Sequence, residues 1–258
     1  MITFTSEIRK GFLLLWHYRY NAVAELFLMG FVFIGLSFFM GEGELESGQL
    51  ASTLLGYLVW FFAMIAISNM SYNLTDEAQA GTLEQMFMSP APIGVIVFGR
   101  VTAMFITAMI QVILVGGVLI LLLDVYIPMR LIGIPVFLLT MVGLLGFGMI
   151  IGGLTLVLKQ VHAIANLSQN VLIFLNGALL PVSFFPLWLE IFAKLLPSTM
   201  GIIVLRRVVL DGASLLDVWN DGSLVLLLAN SLFYAVVGWS VFKYCERYAK
   251  NHGTLGHY

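Results

Sequence analysis

Thr75-Asp76-Glu77-Ala78-Gln79-Ala80-Gly81-Thr82-Leu83-Glu84-Gln85-Met86-Phe87-Met88-Ser89-Pro90 is a short polar stretch set between two apolar segments of membrane length. Thr82 can act as N-cap and Gln85 as the N3 partner of a capping box, so a helix is predicted to begin there. Glu84 falls in its first turn, where negative charge suits the positive end of the helix dipole. Pro90 and Pro92 then stop it. A stub of about two turns is too short to be stable alone in water, so something must hold it: its own bundle or a partner.

Working outward, the rest of the chain reads as membrane protein. It is 60% hydrophobic and 10% charged, against roughly 45–50% and about 25% for soluble domains. A soluble fold of 258 residues could not hide that much apolar side chain, so one polytopic all-α membrane domain is expected. The formal net charge of −2 and the lack of a basic run give no support to nucleic-acid binding. A single cysteine, Cys245, excludes an internal disulfide and a multi-cysteine metal site. Glu7, Arg9 and Lys10 precede the first apolar stretch and no small-residue cleavage site follows it, so no cleavable signal is expected.

Six stretches approach the roughly 20 apolar residues needed to cross a bilayer: near 22–40, 52–73, 98–123, 131–157, 163–184 and 223–242. Ahead of them, residues 5–20 place Ile8, Phe12, Leu15 and Trp16 on one face, which reads as an interfacial amphipathic helix or as the flank of the first span. The predicted organisation is therefore 1–21 as a connecting helix, 22–243 as a six-span domain and 244–258 as a tail. Lys and Arg set orientation. Arg9, Lys10 and Arg19 precede the first span, and Lys243, Arg247 and Lys250 follow the last, which puts both termini in the cytoplasm. Of the twelve basic residues, only Arg130, Lys194, Arg206 and Arg207 then fall outside. The polar stub at 75–90 faces the cytoplasm.

Residues 185–221 fit no simple loop. Pro186, Pro197 and Gly201 punctuate strongly apolar runs too short to span. Broken helices that dip into the outer leaflet and return account for both facts, provided that protein covers the freed backbone groups. A folded loop lying on the headgroups is the other reading.

Glu77-x-x-x-Gly81-Thr82-Leu83-Glu84-Gln85, ending in Met88-Ser89-Pro90, resembles the coupling-helix region of ABC-2 type (type-2 ABC exporter) transporter permeases. Gly177-Ala178-Leu179-Leu180-Pro181, Phe185-Pro186-Leu187-Trp188-Leu189, Leu196-Pro197 and Leu205-Arg206 resemble that family's fifth-span exit and re-entrant external hairpin. The likeness covers about residues 5–248. It implies a permease that pairs with a second copy or a relative, each resting its coupling helix in a cleft of a cytoplasmic ATP-binding subunit, two copies per complex. The chain has no G-x-x-x-x-G-K-[ST] phosphate loop, so ATP and Mg would be bound by that partner and no cofactor by this chain. Glu77 and Glu84 would dock on it, or are simply solvated. The motif spelling looks closer to drug and lipid exporters than to polysaccharide exporters, which leaves a lipid-linked glycan as the alternative cargo.

Asn166, Gln169, Asn170 and Gly177 are expected to share a face of the fifth span, with Asn176 off it. Ser52, Thr53, Ser68 and Asn69 dot the second span. Amides in hydrocarbon need partners or water. In the resembled family these two spans line the route between permeases, so the stripes are candidate path residues or plain interhelical hydrogen-bonding groups. Phe184, Phe185, Trp188 and Phe192 are either a guide for an amphipathic substrate or an interfacial aromatic belt. Glycines at 143, 146, 148, 152 and 153 allow close helix crossing, as in Gly148-x-x-x-Gly152, or a hinge. No chain of buried Asp, Glu or His suggests proton coupling. An intramembrane enzyme lacks the paired carboxylates, Ser-His set or HExxH helix it would need. A non-transporting ABC-linked sensor stays open.

Overall fold

The computed structural model describes residues 9, 13, 17, 19–40, 47–79, 93–128, 130–158 and 161–252, and among them it is helical with no strand. The helices are α1 (Arg19–Met40), α2 (Ser47–Gln79), α3 (Ile93–Leu123), α4 (Gly133–Val157), α5 (Val161–Leu175), α6 (Leu187–Leu195), α7 (Thr199–Val209), α8 (Leu215–Asn220) and α9 (Ser223–His252). Arg9, Leu13 and His17 are helical, and the remainder of the 5–18 stretch lies outside the described residues.

Four helices are long and apolar enough to cross a bilayer, over Gly48–Tyr72, Phe98–Leu123, Gly133–Val157 and Ser223–Ala249. These correspond to the second, third, fourth and sixth predicted spans. The apolar parts of the other two are shorter, Val23–Phe39 and Ala163–Leu175. The fifth needs correction. Its apolar sequence runs on to residue 184, but the helix ends at Leu175 because Gly177 turns into the left-handed region, at φ 80°, where glycine alone carries no Cβ penalty. The second span also differs: its helix continues to Gln79, so Asp76 and Glu77 extend it instead of interrupting it.

The core sits on α2. Tyr57, Phe61, Phe62, Leu54 and Ile67 are fully buried there. Buried side chains occur all around this helix, as expected of one enclosed by neighbours. α4 lies against it and against α9, which is the most peripheral of the four long helices. Lipid is as apolar as leucine, so these contacts rest on close packing rather than on expulsion of water. Glycine provides it: Gly143, Gly146 and Gly153 of α4 meet Ser231, Tyr234 and Phe242 of α9, and Gly238 of α9 meets the Gly146 backbone. Gly148 instead faces Ala66 of α2, so the α4–α9 seam follows Gly143, Gly146 and Gly153. α1 is tied on by Tyr57, whose hydroxyl donates to the Met29 carbonyl at 2.8 Å and whose ring lies 5.1 Å from Phe33.

After α5 the chain makes a 3-10 turn at Val182–Phe184, then α6 and α7, which meet at 91°. Pro186 opens α6 and Pro197 stands in the break, where a missing N–H and a fixed φ prevent one continuous helix. The sequence predicts broken helices within 185–221, and α6 and α7 are such a bent pair. A capping box then starts α8: Ser214 Oγ accepts from the Asp217 amide while the Asp217 carboxylate accepts from the Ser214 amide.

Candidate functional site: a polar seam between α2 and α5

α2 and α5 run antiparallel, and their polar side chains meet. Gln169 Nε2 donates to Ser68 Oγ at 2.9 Å, the Trp60 indole donates to the Gln169 carbonyl at 3.0 Å, and the Tyr72 hydroxyl donates to Asn166 Oδ1 at 3.0 Å. The sequence places an amide on successive turns of α5, and the helical repeat aims them at one neighbour. Asn69 lies beside this seam in the sequence and also takes part in an interaction. Asn170 does not join it; it is exposed, with Leu167 and Phe174, on the outer face of α5. The predicted stripe thus splits: Gln169 and Asn166 both reach α2, Asn166 from an exposed position at the edge of the seam, while Asn170 faces outward. Gly177 drops out of it, since the helix has ended two residues earlier.

At the far end of α2, backbone freed by the break in α5 is satisfied by side chains. Asn176, fully buried, accepts from the Ala178 amide at 2.8 Å and donates to Ser198 Oγ at 3.1 Å. Arg206 of α7 donates to the carbonyls of Ser52, Gly177 and Ala178 at 2.9, 2.7 and 2.8 Å. Sequence spacing puts Asn176 off the polar stripe and gives it no partner. Its signal was there: Asn-Gly after an apolar helix is a stop signature, and in hydrocarbon the amide must then find a partner. The sequence places Arg206 in the hairpin and among the basic residues outside, with no sign of these partners.

Among the remaining candidates, Phe184 and Phe185 belong to the turn after the break and not to the seam. Phe184 and Trp188 are exposed, as are Leu187, Ile191, Phe192 and Leu195, which gives α6 an apolar outer face. Glu190 and Lys194 pair at 2.7 Å along α6. Pro181 and Pro186 are exposed and Pro197 is buried. Of the coupling segment, Glu77 falls in the last turn of α2 with its side chain outside the described set; Gly81, Thr82, Leu83, Glu84, Gln85, Met88, Ser89 and Pro90 lie outside the described residues. Beyond the bundle, Asp221 accepts from the Ser223 hydroxyl and amide and pairs with Arg207, and these contacts lower its carboxyl to about 2. Among the described residues no group of three His, Cys, Asp or Glu could hold a metal ion.

Apolar helices of spanning length and glycine-mediated crossings define a multi-pass membrane protein. A family model described as ABC-2 type transporter matches residues 4–210, and the chain belongs to that family. It is the transmembrane permease component of an ABC transporter. Comparison with curated proteins finds no match.

Proposed function

We propose that this chain is the permease half of an ATP-driven exporter for hydrophobic or amphipathic molecules, drugs or lipids, leaving the cytoplasm or inner leaflet. The observation that carries the reading is family membership together with a polar seam between the two helices that correspond to the second and fifth spans. The protein works in this reading as a pair of permeases with two ATPase subunits, in the plasma membrane, with six crossings over 22–243 and both termini in the cytoplasm. ATP and Mg belong to the ATPase. Nucleotide-driven closure of that partner pushes on residues 75–90, and Pro90 and Pro92 pass the movement to α2 and α3. The substrate route runs along the outward face of α5, past Asn166 and Asn170. Abundant Phe and Met offer adaptable apolar contacts to such cargo.

Gentle extraction and affinity purification test this. A phosphate-loop ATPase should co-purify, and the complex should hydrolyse ATP in a vanadate-sensitive manner. Protein that never carries such a partner rejects the reading.

A further inference from the structure

Arg206 is partly buried, and among the described residues no carboxylate pairs with it. A buried charge costs several kcal/mol unless hydrogen bonds satisfy it. Here three carbonyls do so, and they come from two places: Ser52 from the start of α2, and Gly177 and Ala178 from the break after α5. Only a planar fork reaches such a set; a lysine ammonium is a point charge on a flexible stem. The carbonyls of Gly177 and Ala178 have left the α5 ladder, and without a donor they would stand bare inside the bundle. Gly56, one turn along α2 from Ser52, completes the fit. A Cβ on it would lie 2.6 Å from the Ala178 oxygen and 2.8 Å from Arg206 Nη2. The Asn176–Ser198 hydrogen bond ties the same break to the start of α7. Ser52 lies about 24 Å along α2 from Ser68, at 1.5 Å per residue.

We propose that Arg206 is the positioning residue that joins α2 to the broken end of α5, so that nucleotide-driven movement of α2 is transmitted to the far end of the transport path. The inference rests on the route along α5 proposed above. Its chemistry is specific: one guanidinium replaces the lost helical hydrogen bonds of the break and holds it to the neighbouring helix.

The test uses the assembled complex with its ATPase in lipid vesicles. Phe174→Cys, one turn beyond Asn170 on the same exposed face, is introduced in a Cys245→Ser background as a reporter for a membrane-impermeant maleimide. Vanadate trapping with ATP should change its labelling rate about tenfold in the parent, a coupling of ordinary size. Arg206→Lys should reduce that ratio below about twofold. It should also raise amide exchange at residues 177–180 about tenfold. Gly56→Ala, which intrudes on the clamp and leaves Arg206 in place, should act in the same direction and covers the case in which Arg206→Lys fails to assemble. Unchanged exchange at 177–180 in assembled variants overturns the clamp. Faster exchange with the parental labelling ratio overturns its part in transmission. A parent reporter that ignores nucleotide removes the route along α5, and the proposed transmission falls with it, while exchange still decides whether Arg206 holds the break.

Discussion

Gln169 and Asn170 are adjacent in sequence and opposite in circumstance. Gln169 bridges to Ser68 and takes the Trp60 indole on its carbonyl, whereas Asn170 is exposed on the outer face of α5. Gln169→Leu should therefore lower the stability of the bundle by about 0.6–1.7 kcal/mol, the range for hydrogen bonds between membrane helices, read as an earlier thermal transition in detergent. Asn170→Ala should leave that transition in place and change transport or substrate-stimulated ATP hydrolysis. An unchanged substrate profile would assign both residues to structure alone. Asp221 behaves differently, because it lies outside the bundle. Hydrogen bonds from Ser223, then the bond from Arg207, hold its carboxyl at about 2. A lowered carboxyl contributes stability that is complete above the ordinary value of about 3.9 and fades as pH falls toward the folded one. Protection of the Ser223 amide from exchange should stay level from pH 7 down to about 4 and fall only below that.

Among the helices, the α4–α9 seam is the most demanding contact. Gly146 meets the Tyr234 carbonyl and Gly238 meets Gly146, so the backbones touch with no space for a side chain. Gly146→Val should force the helices apart at a cost of about 1–3 kcal/mol, seen as a lower melting temperature and a loss of assembled protein. Gly117→Ala in α3 is the control. A Cβ there meets nothing within 4 Å, so helix propensity should make it neutral or stabilising by up to about 1 kcal/mol. The glycine-dense run was legible as a packing surface from small-residue spacing alone. Its partner was not, since Gly148 and Gly146 are two residues apart and face different helices, α2 and α9. Helix length is hard to read from sequence for a similar reason. Residues 176–184 are apolar enough to continue α5, but hydropathy does not record that Asn176 and Gly177 end it.

At the scale of the molecule, the proposed work depends on passing force from residues 75–90 into α2. That helix is suited to it, running 33 residues from Ser47 to Gln79, with most side chains of 50–71 buried among α3, α4 and α5. Glu84→Lys reverses charge where the ATPase is proposed to dock. It should leave an assembled complex that hydrolyses ATP but transports about tenfold more slowly in vesicles. Normal transport by a normally assembled complex would reject that role. The resemblance carried by Glu77 through Pro90 and by Gly177 through Arg206 is enough to indicate the family, and the family match over 4–210 bears it out.

Composition and hydropathy by themselves determined that this is a helical membrane protein and where four of the six expected spans run, because the bilayer demands long apolar runs and leaves few alternatives. Which polar groups meet was decided only in three dimensions. Ser68 and Gln169 are 101 positions apart, and Arg206 reaches a carbonyl 154 positions away. Sequence marks such groups as needing partners, but the antiparallel placement of α5 on α2 and the bend into α7 choose them.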